Sequence, residues 1–273
     1  MISIVYVTCN RQNELLNSIK SCLDYIKEKF EIIVIDNNST DDTGKIVKEA
    51  SEILKFDLLY IKNNQNQGVA KSRNQGYRLA KGDILFYLDD DAIIDKQTKI
   101  NIDDVAAFMR IHDKHPIISN EIYNVSRNFF QHGKFPYNRN ERENGTVFNF
   151  VGASHFINKN TLGNIDLYPE EFQYGAEELY LSYYIKLKGF EIYYLSEFKV
   201  LHIPSQNERM DKLSTDIKSY SNAFNVKRYF TPTIFVPLIW LIMIIRILYN
   251  CKSQFQIVSL FFKQINSTYN SKY

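Results

Sequence analysis

Residues Ile84–Ile94 read ILFYLDDDAII, an apolar run that ends in three consecutive aspartates and then becomes apolar again. Five successive apolar or aromatic residues are typical of a buried strand. Adjacent carboxylates repel one another, so Asp89, Asp90 and Asp91 gain nothing from the fold alone. They either lie in water at a turn or surround a positive charge.

The first 111 residues alternate between strand-like and helix-like patterns. Short apolar runs occupy Ile2–Thr8, Glu31–Asp36, Phe56–Ile61 and Asp83–Leu88. The stretches between them repeat apolar residues at helical spacing, as in Leu15, Ile19 and Leu23. This alternation predicts βαβ units and an α/β fold with a mainly parallel sheet.

Polar clusters follow three of these strands. The first strand ends in Thr8–Arg11, the second in Asp36–Asp41 and the fourth in the aspartates. Ligands of parallel sheets bind beyond the carboxyl ends of the strands. A solvated loop explains any one cluster, but it explains three at equivalent places poorly. The sequence therefore predicts one polar cleft.

Later segments have clear patterns but no repeats. The residues after His115-Pro116 read as a strand, Glu177–Lys188 as a helix and Phe190–Leu195 as a strand. Phe148–Ile157, FNFVGASHFI, is predicted to be a strand interrupted at Gly152, where the backbone approaches a ligand. Asn124–Asn144 is a polar segment with scattered aromatic residues.

The charge is unevenly distributed. Residues 1–216 carry 26 basic and 31 acidic groups, a net charge of −5, whereas residues 217–273 carry seven Lys or Arg and no acid. We therefore predict two parts, an acidic body, 1–216, and a basic, apolar helical tail, 217–273. We expect the tail to meet an anionic surface, and we expect no nucleic-acid partner.

The tail has two possible roles. Its apolar run Ile234–Ile245 is twelve residues long, short of the roughly 20 that a spanning helix needs. It forms either a helical hairpin that packs on the body or a segment that lies in a membrane interface. We favour the membrane.

Two observations indicate the compartment. The three cysteines form no CxxC pair, which favours reduced thiols in a cytosolic protein. The N-terminus MISIVYVT lacks the basic region of a signal peptide. We expect a cytoplasmic location, at the inner face of the cell membrane.

The ordered motifs over residues 2–203 resemble those of family-2 glycosyltransferases with the GT-A fold. They are ISIVYVTCNR, IIVIDNNSTDDT, NQNQGVAKSRNQGYRLAKGDILFYLDDDA, FVGASHFINK and YGAEELYLSYYIKLKGFEIYYLSEFKVLH. The resemblance implies transfer of a sugar from a nucleotide-diphosphate donor to a glycan or lipid-linked acceptor. It also implies a divalent cation, Mn²⁺ or Mg²⁺, among the aspartates. The body, 1–216, would be the catalytic domain, and acceptor specificity is expected in Asn124–Asn144 and around Gly152.

The resemblance assigns roles to individual residues. Asp91, Asp89 and His202 are the implied metal ligands. The implied nucleotide-sugar contacts are Thr8, Asn10, Arg11, Asp36, Asn37, Asn66, Arg73, Asp89 and Asp90. Two residues depart from the family's pattern, since Cys9 replaces the usual aromatic residue and Asn37 the second acid of strand two. The base of the donor is left open.

An acidic pair at the start of a helix supplies the implied catalytic base. Here the pair is Glu177-Glu178, and Glu178 aligns with the residue usually given that role, which is more often Asp. The alternative is that both acids only face the positive end of the helix dipole. The sequence does not separate the two.

Two other classes of protein remain as alternatives. A sugar-phosphate nucleotidyltransferase calls for a Gly-rich, basic signature after strand one, and TCNRQNE has no glycine. A non-catalytic binding homologue predicts loss of the aspartates or of the acidic pair, and both are present.

Overall fold

The first half of the chain forms the predicted strand–helix pairs. The computed structural model describes residues 1–131, 143–172, 174–205, 212–250, 259–261 and 265. Its first elements are β1 (Ile2–Thr8), α1 (Gln12–Leu23), β2 (Phe30–Asp36), α2 (Thr43–Leu54), β3 (Asp57–Lys62), α3 (Val69–Leu79) and β4 (Ile84–Leu88). The bounds of the four predicted strands differ from the observed ones by at most one residue.

The second half contributes shorter strands and the helix of the acidic pair. Its elements are β5 (Ala92–Ile94), α4 (Ile102–Ile111), β6 (Ile117–Asn124), β7 (Phe129–Phe130), β8 (Gly145–Val147), β9 (Ser154–Asn158), α5 (Lys159–Leu162), α6 (Glu177–Leu187) and β10 (Ile192–His202). The strand predicted over Phe148–Ile157 is wrong in its first half. Residues 148–153 leave the sheet, and the carbonyl of Gly152 accepts a hydrogen bond from Arg73 instead of a neighbouring strand.

The strands form one mixed sheet in the order β3-β2-β1-β4-β9-β6-β10-β5, with β7 beside β6 and β8 beside β10. Strands β3, β2, β1 and β4 run parallel, and so do β6 and β10. Strand β9 is antiparallel to both of its neighbours. The predicted α/β class with a mainly parallel sheet is confirmed.

Both faces of the sheet are covered, as continuous apolar strands require. On β1, Ile4 and Tyr6 point to one face, which α1 and α4 cover, while Val5 points to the face that α3 and α6 cover. With both faces buried, the carboxyl edge of the parallel strands is where polar side chains can collect.

The tail forms helices that pack on the body. Helix α7 (Lys212–Phe230) leads through a short 3-10 turn (Thr233–Phe235) into α8 (Val236–Asn250). Pro237 lies in the first turn of α8, where its missing N–H costs no helical hydrogen bond. The boundary expected between residues 216 and 217 falls inside α7. Among the described residues, no helix is both long and apolar enough to cross a membrane.

Two sequence predictions fall partly outside the described residues. The acceptor region expected in Asn124–Asn144 includes residues 132–142, and Cys251 lies in the tail beyond α8. Within the described part of the chain, Cys9 and Cys22 form no disulfide.

Candidate active site

The polar clusters at the strand ends converge on one edge of the sheet, as predicted. Thr8 pairs with Asp36 at the ends of β1 and β2, and the N–H of Asn37 donates to the carbonyl of Thr8 at 2.8 Å. Arg11, just beyond β1, reaches the aspartates that follow β4. The parallel register thus brings residues 80 positions apart into one cleft.

Two arginines offset the charge of the aspartates. Nη1 of Arg11 lies 2.7 Å from Oδ1 of Asp90 and 3.4 Å from Oδ2 of Asp91. Nη2 of Arg73 lies 3.0 Å from Oδ1 of Asp89. The expected repulsion within the triplet is therefore offset by the chain itself, before any ligand is considered.

Asp90 lies beneath the cleft. Its side chain is buried, and its Oδ2 has no hydrogen-bond partner in the described part of the chain. Burial raises the pKa of Asp90 and Asp91 adds to the effect, while Arg11 opposes both, and the pKa is about 7. Asp90 therefore holds the guanidinium of Arg11 in place from the buried side of the site.

Asp89, Asp91 and His202 offer ligand atoms that all lie within 4.8 Å of one another. The pairing of β5 with β10 sets His202 opposite Ala92, which follows the triplet directly. The N–H of Ser205 donates to Oδ2 of Asp91 at 3.0 Å. Burial alone would raise the pKa of Asp91, but His202, this N–H and Arg11 outweigh it and hold the pKa at about 2. Asp91 is thus a carboxylate at neutral pH.

The orientation of His202 directs one ring nitrogen at Asp91. Nδ1 lies 2.8 Å from Oε1 of Gln131, which can only accept, so Nδ1 carries a proton. Nε2 then faces Oδ1 of Asp91 at 3.3 Å. Two lone pairs at this distance repel unless a proton or a cation lies between them. A histidine that binds a metal through one ring nitrogen commonly has its other ring nitrogen held by a second residue, and Gln131 holds Nδ1 of His202 in this way.

Arg73 joins the aspartates to the acidic pair. Its Nη1 lies 3.1 Å from Oε1 of Glu177 and 3.4 Å from Oε1 of Glu178, and its Nη2 contacts Asp89 and the carbonyl of Gly152. The side chain is buried, and the surrounding carboxylates raise its pKa despite burial. A phosphate contact by either of these nitrogens would have to replace one of these partners.

The two glutamates have different environments. Burial raises the pKa of Glu177 to about 8, with Glu178 adding to the effect and Arg73 opposing it. Burial thus favours the protonated form of Glu177. The side chain of Glu178 is 20% exposed, so its carboxylate faces the cleft.

Gly152 leaves room for Glu178. A Cβ at position 152 would lie 1.7 Å from Oε1 of Glu178 and 2.8 Å from Nη1 of Arg73. The predicted approach of this glycine to a ligand stays a prediction, and the structure places Glu178 and Arg73 beside it.

The loop before α6 is held by the tail. Gly175 and Ala176 both have left-handed backbones, with φ of 78° and 70°, an unfavourable state for Ala176. Nδ2 of Asn222, in α7, donates to the carbonyls of Tyr174 and Gly175 at 3.0 and 3.1 Å. Helix α7 therefore fixes the segment that enters the acidic pair.

The other predicted nucleotide contacts lie at the far side of the cleft. Asp36 is buried and accepts from the N–H of Ser39 and from the hydroxyl of Tyr60, while Asn37 accepts from Ser72 and Asn63. Oδ1 of Asn10 accepts from two N–H groups of the β2 loop, those of Thr40 and Asp41. Asn66 caps the turn before α3 through the N–H of Gly68. Asp36 and Asn37 shape the cleft wall, and their nucleotide contacts stay predictions.

Residues 3–168 match the family described as Glycosyl transferase family 2, which is more than half of the chain. The chain belongs to this family. No curated protein matches it.

Solved glycosyltransferase structures share the fold. S. aureus TarS 1-349 in complex with UDP-GlcNAc has a TM-score of 0.66 at 18% identity, covering 91% of this chain and 72% of that one. GalNAc-T7 with UDP, GalNAc and Mn²⁺ has 0.65 at 16%, covering 84% and 47%. The mannosyltransferase PcManGT from Pyrobaculum calidifontis, with GDP-Man and Mn²⁺, has 0.59 at 15%, covering 87% and 67%. This chain spans 44% of the longer TarS structure. The GT-A fold is confirmed.

The metal cluster of this family-2 glycosyltransferase fits a divalent cation. Two carboxylates and one imidazole are ligands that Mn²⁺ accepts, while Mg²⁺ prefers oxygen alone. The resemblance implied all three residues of this cluster, and their role as ligands stays a prediction. Sequence reasoning missed Gln131, Ser205 and Asn222, which contact His202, Asp91 and the loop before α6. No spacing or motif marks these three.

Proposed function

We propose that the chain is an inverting, metal-dependent glycosyltransferase. It moves a hexose or deoxyhexose from a nucleotide-diphosphate donor to a hydroxyl of a glycan or lipid-linked acceptor, in cell-surface polysaccharide or glycoconjugate synthesis. The observation that carries the proposal is the bridge made by Arg73. It links Asp89 of the metal cluster to Glu178, so a leaving-group site and a base lie side by side.

The donor half of the site is assigned as follows. Asp89, Asp91 and His202 would hold Mn²⁺ or Mg²⁺, and a bound cation offsets the charge that builds on the leaving diphosphate. Nucleotide-sugar contacts are proposed for Thr8, Asn10, Arg11, Asp36, Asn37, Asn66, Arg73, Asp89 and Asp90. Because the guanidinium of Arg73 already contacts three carboxylates, we assign it mainly to holding Asp89 and Glu178 at a fixed separation.

Glu178 is the proposed general base. Inversion requires a group that takes the proton from the acceptor hydroxyl as its oxygen attacks C1. Glu178 is partly exposed, and its Oε1 lies 3.4 Å from Nη1 of Arg73. Glu177 is buried and accepts from Nη1 of Arg73, so we give it a positioning role through that arginine.

A thermal-shift panel tests the donor proposal. The similar structures contain UDP-GlcNAc, UDP or GDP-Man, so UDP-, dTDP- and GDP-sugars are the probes, each with and without Mn²⁺. A donor at 100 times its Kd should stabilise the fold by about 2.7 kcal/mol, and only when Mn²⁺ is present. If none of the three classes raises the Tm with Mn²⁺, the proposed donor site is wrong.

We also propose that the tail, 217–273, binds the inner face of the cell membrane. Six large apolar side chains on one face of the 3-10 turn and α8 are 48–79% exposed, and we call them the α8 stripe: Ile234, Phe235, Leu238, Leu241, Ile242 and Ile245. They recur every three or four positions, so they lie on the same face of the helix. The opposite face, with Ile239, Met243 and Ile247, packs against Phe224 of α7. An exposed apolar surface of this size marks an interaction site.

The charge of the tail favours an anionic lipid surface as the partner. Residues 217–273 carry seven cations and no acid, and each cation near such a surface contributes about 1 kcal/mol. The sequence left a packed hairpin and a membrane segment as alternatives. In the structure, each of the two faces of α8 suits one of them. One face packs on α7, and the other is proposed to enter the interface.

Vesicle co-sedimentation of the full chain tests this contact. The protein should bind phosphatidylserine-containing vesicles, more weakly at high salt, and the double variant Leu238→Asp/Leu241→Asp should not. Ile111→Asp, at an equally exposed apolar residue of α4, is the matched control and should bind like the parent. Equal binding by the parent and the stripe variant would exclude the α8 stripe as the membrane surface.

A further inference from the structure

A cavity of about 930 Å³ lies between the body and the tail, on the side of α6 that faces α7. One wall is the loop that precedes the acidic pair, with Tyr168 and Phe172. The other wall is formed by α7 and the start of α8, with Tyr229 and Val236. None of the predicted donor or metal residues lines it. Its volume is within the range of about 300–1,000 Å³ that is common for ligand sites. We call it the α6–α7 pocket.

The α6–α7 pocket is connected to the reaction centre through one side chain. Tyr168 lines the pocket, and the guanidinium carbon of Arg73 lies 5.9 Å from its ring centroid. Tyr180, another lining residue, lies one helical turn after Glu177 on α6. A molecule in the pocket is therefore separated by the side chain of Tyr168 from Arg73, which contacts the acidic pair.

The lining is aromatic and rich in hydrogen-bond acceptors. The ring of Tyr229 is 75% exposed, although it touches Phe230 at a centroid distance of 4.9 Å. Tyrosine rings offer flat apolar faces with a polar edge, which match the C–H faces and hydroxyls of a sugar. The carboxylates of Asp166, Glu170 and Glu171 can accept from such hydroxyls.

The charge of the pocket disfavours an anionic ligand. Three carboxylates face one cation, Arg228, within the lining. Arg78 is bonded to Asp166 and Glu170, so these five described side chains together carry a net charge of −1. A phosphate or a carboxylate sugar would meet repulsion here, whereas neutral hydroxyls would not.

We propose that the α6–α7 pocket binds a neutral sugar unit of the acceptor, beside the unit whose hydroxyl attacks the donor. The inference rests on the proposed glycosyltransferase function and assigns a binding role to residues outside its donor site. The pocket also borders the α8 stripe, because its residues Thr233 and Val236 flank Ile234 and Phe235. A lipid-linked acceptor could therefore place its sugars in the pocket and its chain along the stripe.

Saturation-transfer NMR with methyl glycosides tests the pocket. The probes are millimolar methyl glycosides of glucose, galactose, N-acetylglucosamine and rhamnose, with glucose 6-phosphate as the anionic probe. At least one neutral glycoside should bind, and Tyr229→Ala should weaken that binding by about 3- to 10-fold. Tyr229→Phe keeps the ring and should bind like the parent. Because Tyr229 is exposed, both variants should fold.

Three results would overturn the inference: no glycoside binds, binding is unchanged in Tyr229→Ala, or glucose 6-phosphate binds more tightly than the neutral probes. Mn²⁺-dependent stabilisation by the nucleotide sugars is measured on the same proteins. If that stabilisation is present and the glycosides fail, only the pocket is wrong. If the nucleotide sugars fail as well, the proposed function is wrong.

Discussion

Gly152→Ala should displace the carboxylate of Glu178 while the protein remains folded. The new Cβ would lie 1.7 Å from Oε1 of Glu178, and ordinary contact needs about 3.4 Å or more. The carboxylate must therefore move by roughly 1.7 Å. It can do so cheaply, because it is the end of a flexible, partly exposed side chain and Gly152 does not have a left-handed backbone. The Tm should change little.

The rate should fall much more than the Tm. A misplacement of 1 Å in a catalytic group can cost about 100-fold, so we expect at least that loss in kcat, or about 2.7 kcal/mol in the barrier. The donor KM should be unchanged. The assay is release of nucleoside diphosphate from the donor that the thermal-shift panel identifies, with an accepted glycoside present.

A double-mutant cycle provides the control for this prediction. Glu178→Gln alone should lower kcat by about 10² to 10⁴, since the amide cannot accept the proton. Adding Gly152→Ala to Glu178→Gln should cost little more, because both changes remove the same group. Glu178→Asp, one methylene shorter, should recover part of the activity of Gly152→Ala. A Gly152→Ala enzyme with the parent's kcat, or losses that simply add, would refute the role of Glu178.

Two further predictions concern residues that do not touch the substrate. Glu177 has a folded pKa of about 8 against an ordinary value of 4.5, so its favourable contribution is full below about pH 4.5 and is lost as the pH rises through 8. The stability of Glu177→Gln relative to the parent should therefore rise between about pH 4.5 and pH 8 and stay constant above pH 8 in denaturant titrations. Parallel pH profiles of the two proteins would contradict this. Asn222→Ala should lower kcat about tenfold or more with the donor KM unchanged, since Gly175 and Ala176 lose two hydrogen bonds. An Asn222→Ala enzyme with the parent's kcat would limit α7 to a structural role.

The fold was predictable because hydrophobic periodicity is a local property. Runs such as Ile2–Thr8 and the polar residues that end them are visible in the sequence. The rule for the carboxyl ends of parallel strands then brings Thr8, Asp36 and Asp89 together without any coordinates. His202 came from the resemblance alone, because the β5–β10 pairing that sets it beside Asp91 leaves no periodic signal.

The electrostatics of the site were not predictable. Arg73 contacts carboxylates up to 105 positions away, and no pattern indicates that it bridges Asp89 and the acidic pair. The difference between Glu177 and Glu178 depends on burial, which two identical neighbouring residues cannot reveal. Gln131 follows the short strand β7, and no periodicity marks its contact with His202. The exposed face of α8 became distinct only once the face that packs on α7 was known.

Mn²⁺ binding in the presence of the donor tests the central claim most directly. Titration of Mn²⁺, followed by electron paramagnetic resonance, is compared for the parent, Asp91→Asn and Asp113→Asn, with and without the nucleotide sugar. Asp91→Asn keeps an oxygen for the N–H of Ser205 but removes the charge, while Asp113 is an exposed acid outside the cleft. We predict that the donor tightens Mn²⁺ binding in the parent and in Asp113→Asn and that Asp91→Asn loses this coupling. Coupling of equal size in all three proteins would contradict a metal site at Asp89, Asp91 and His202.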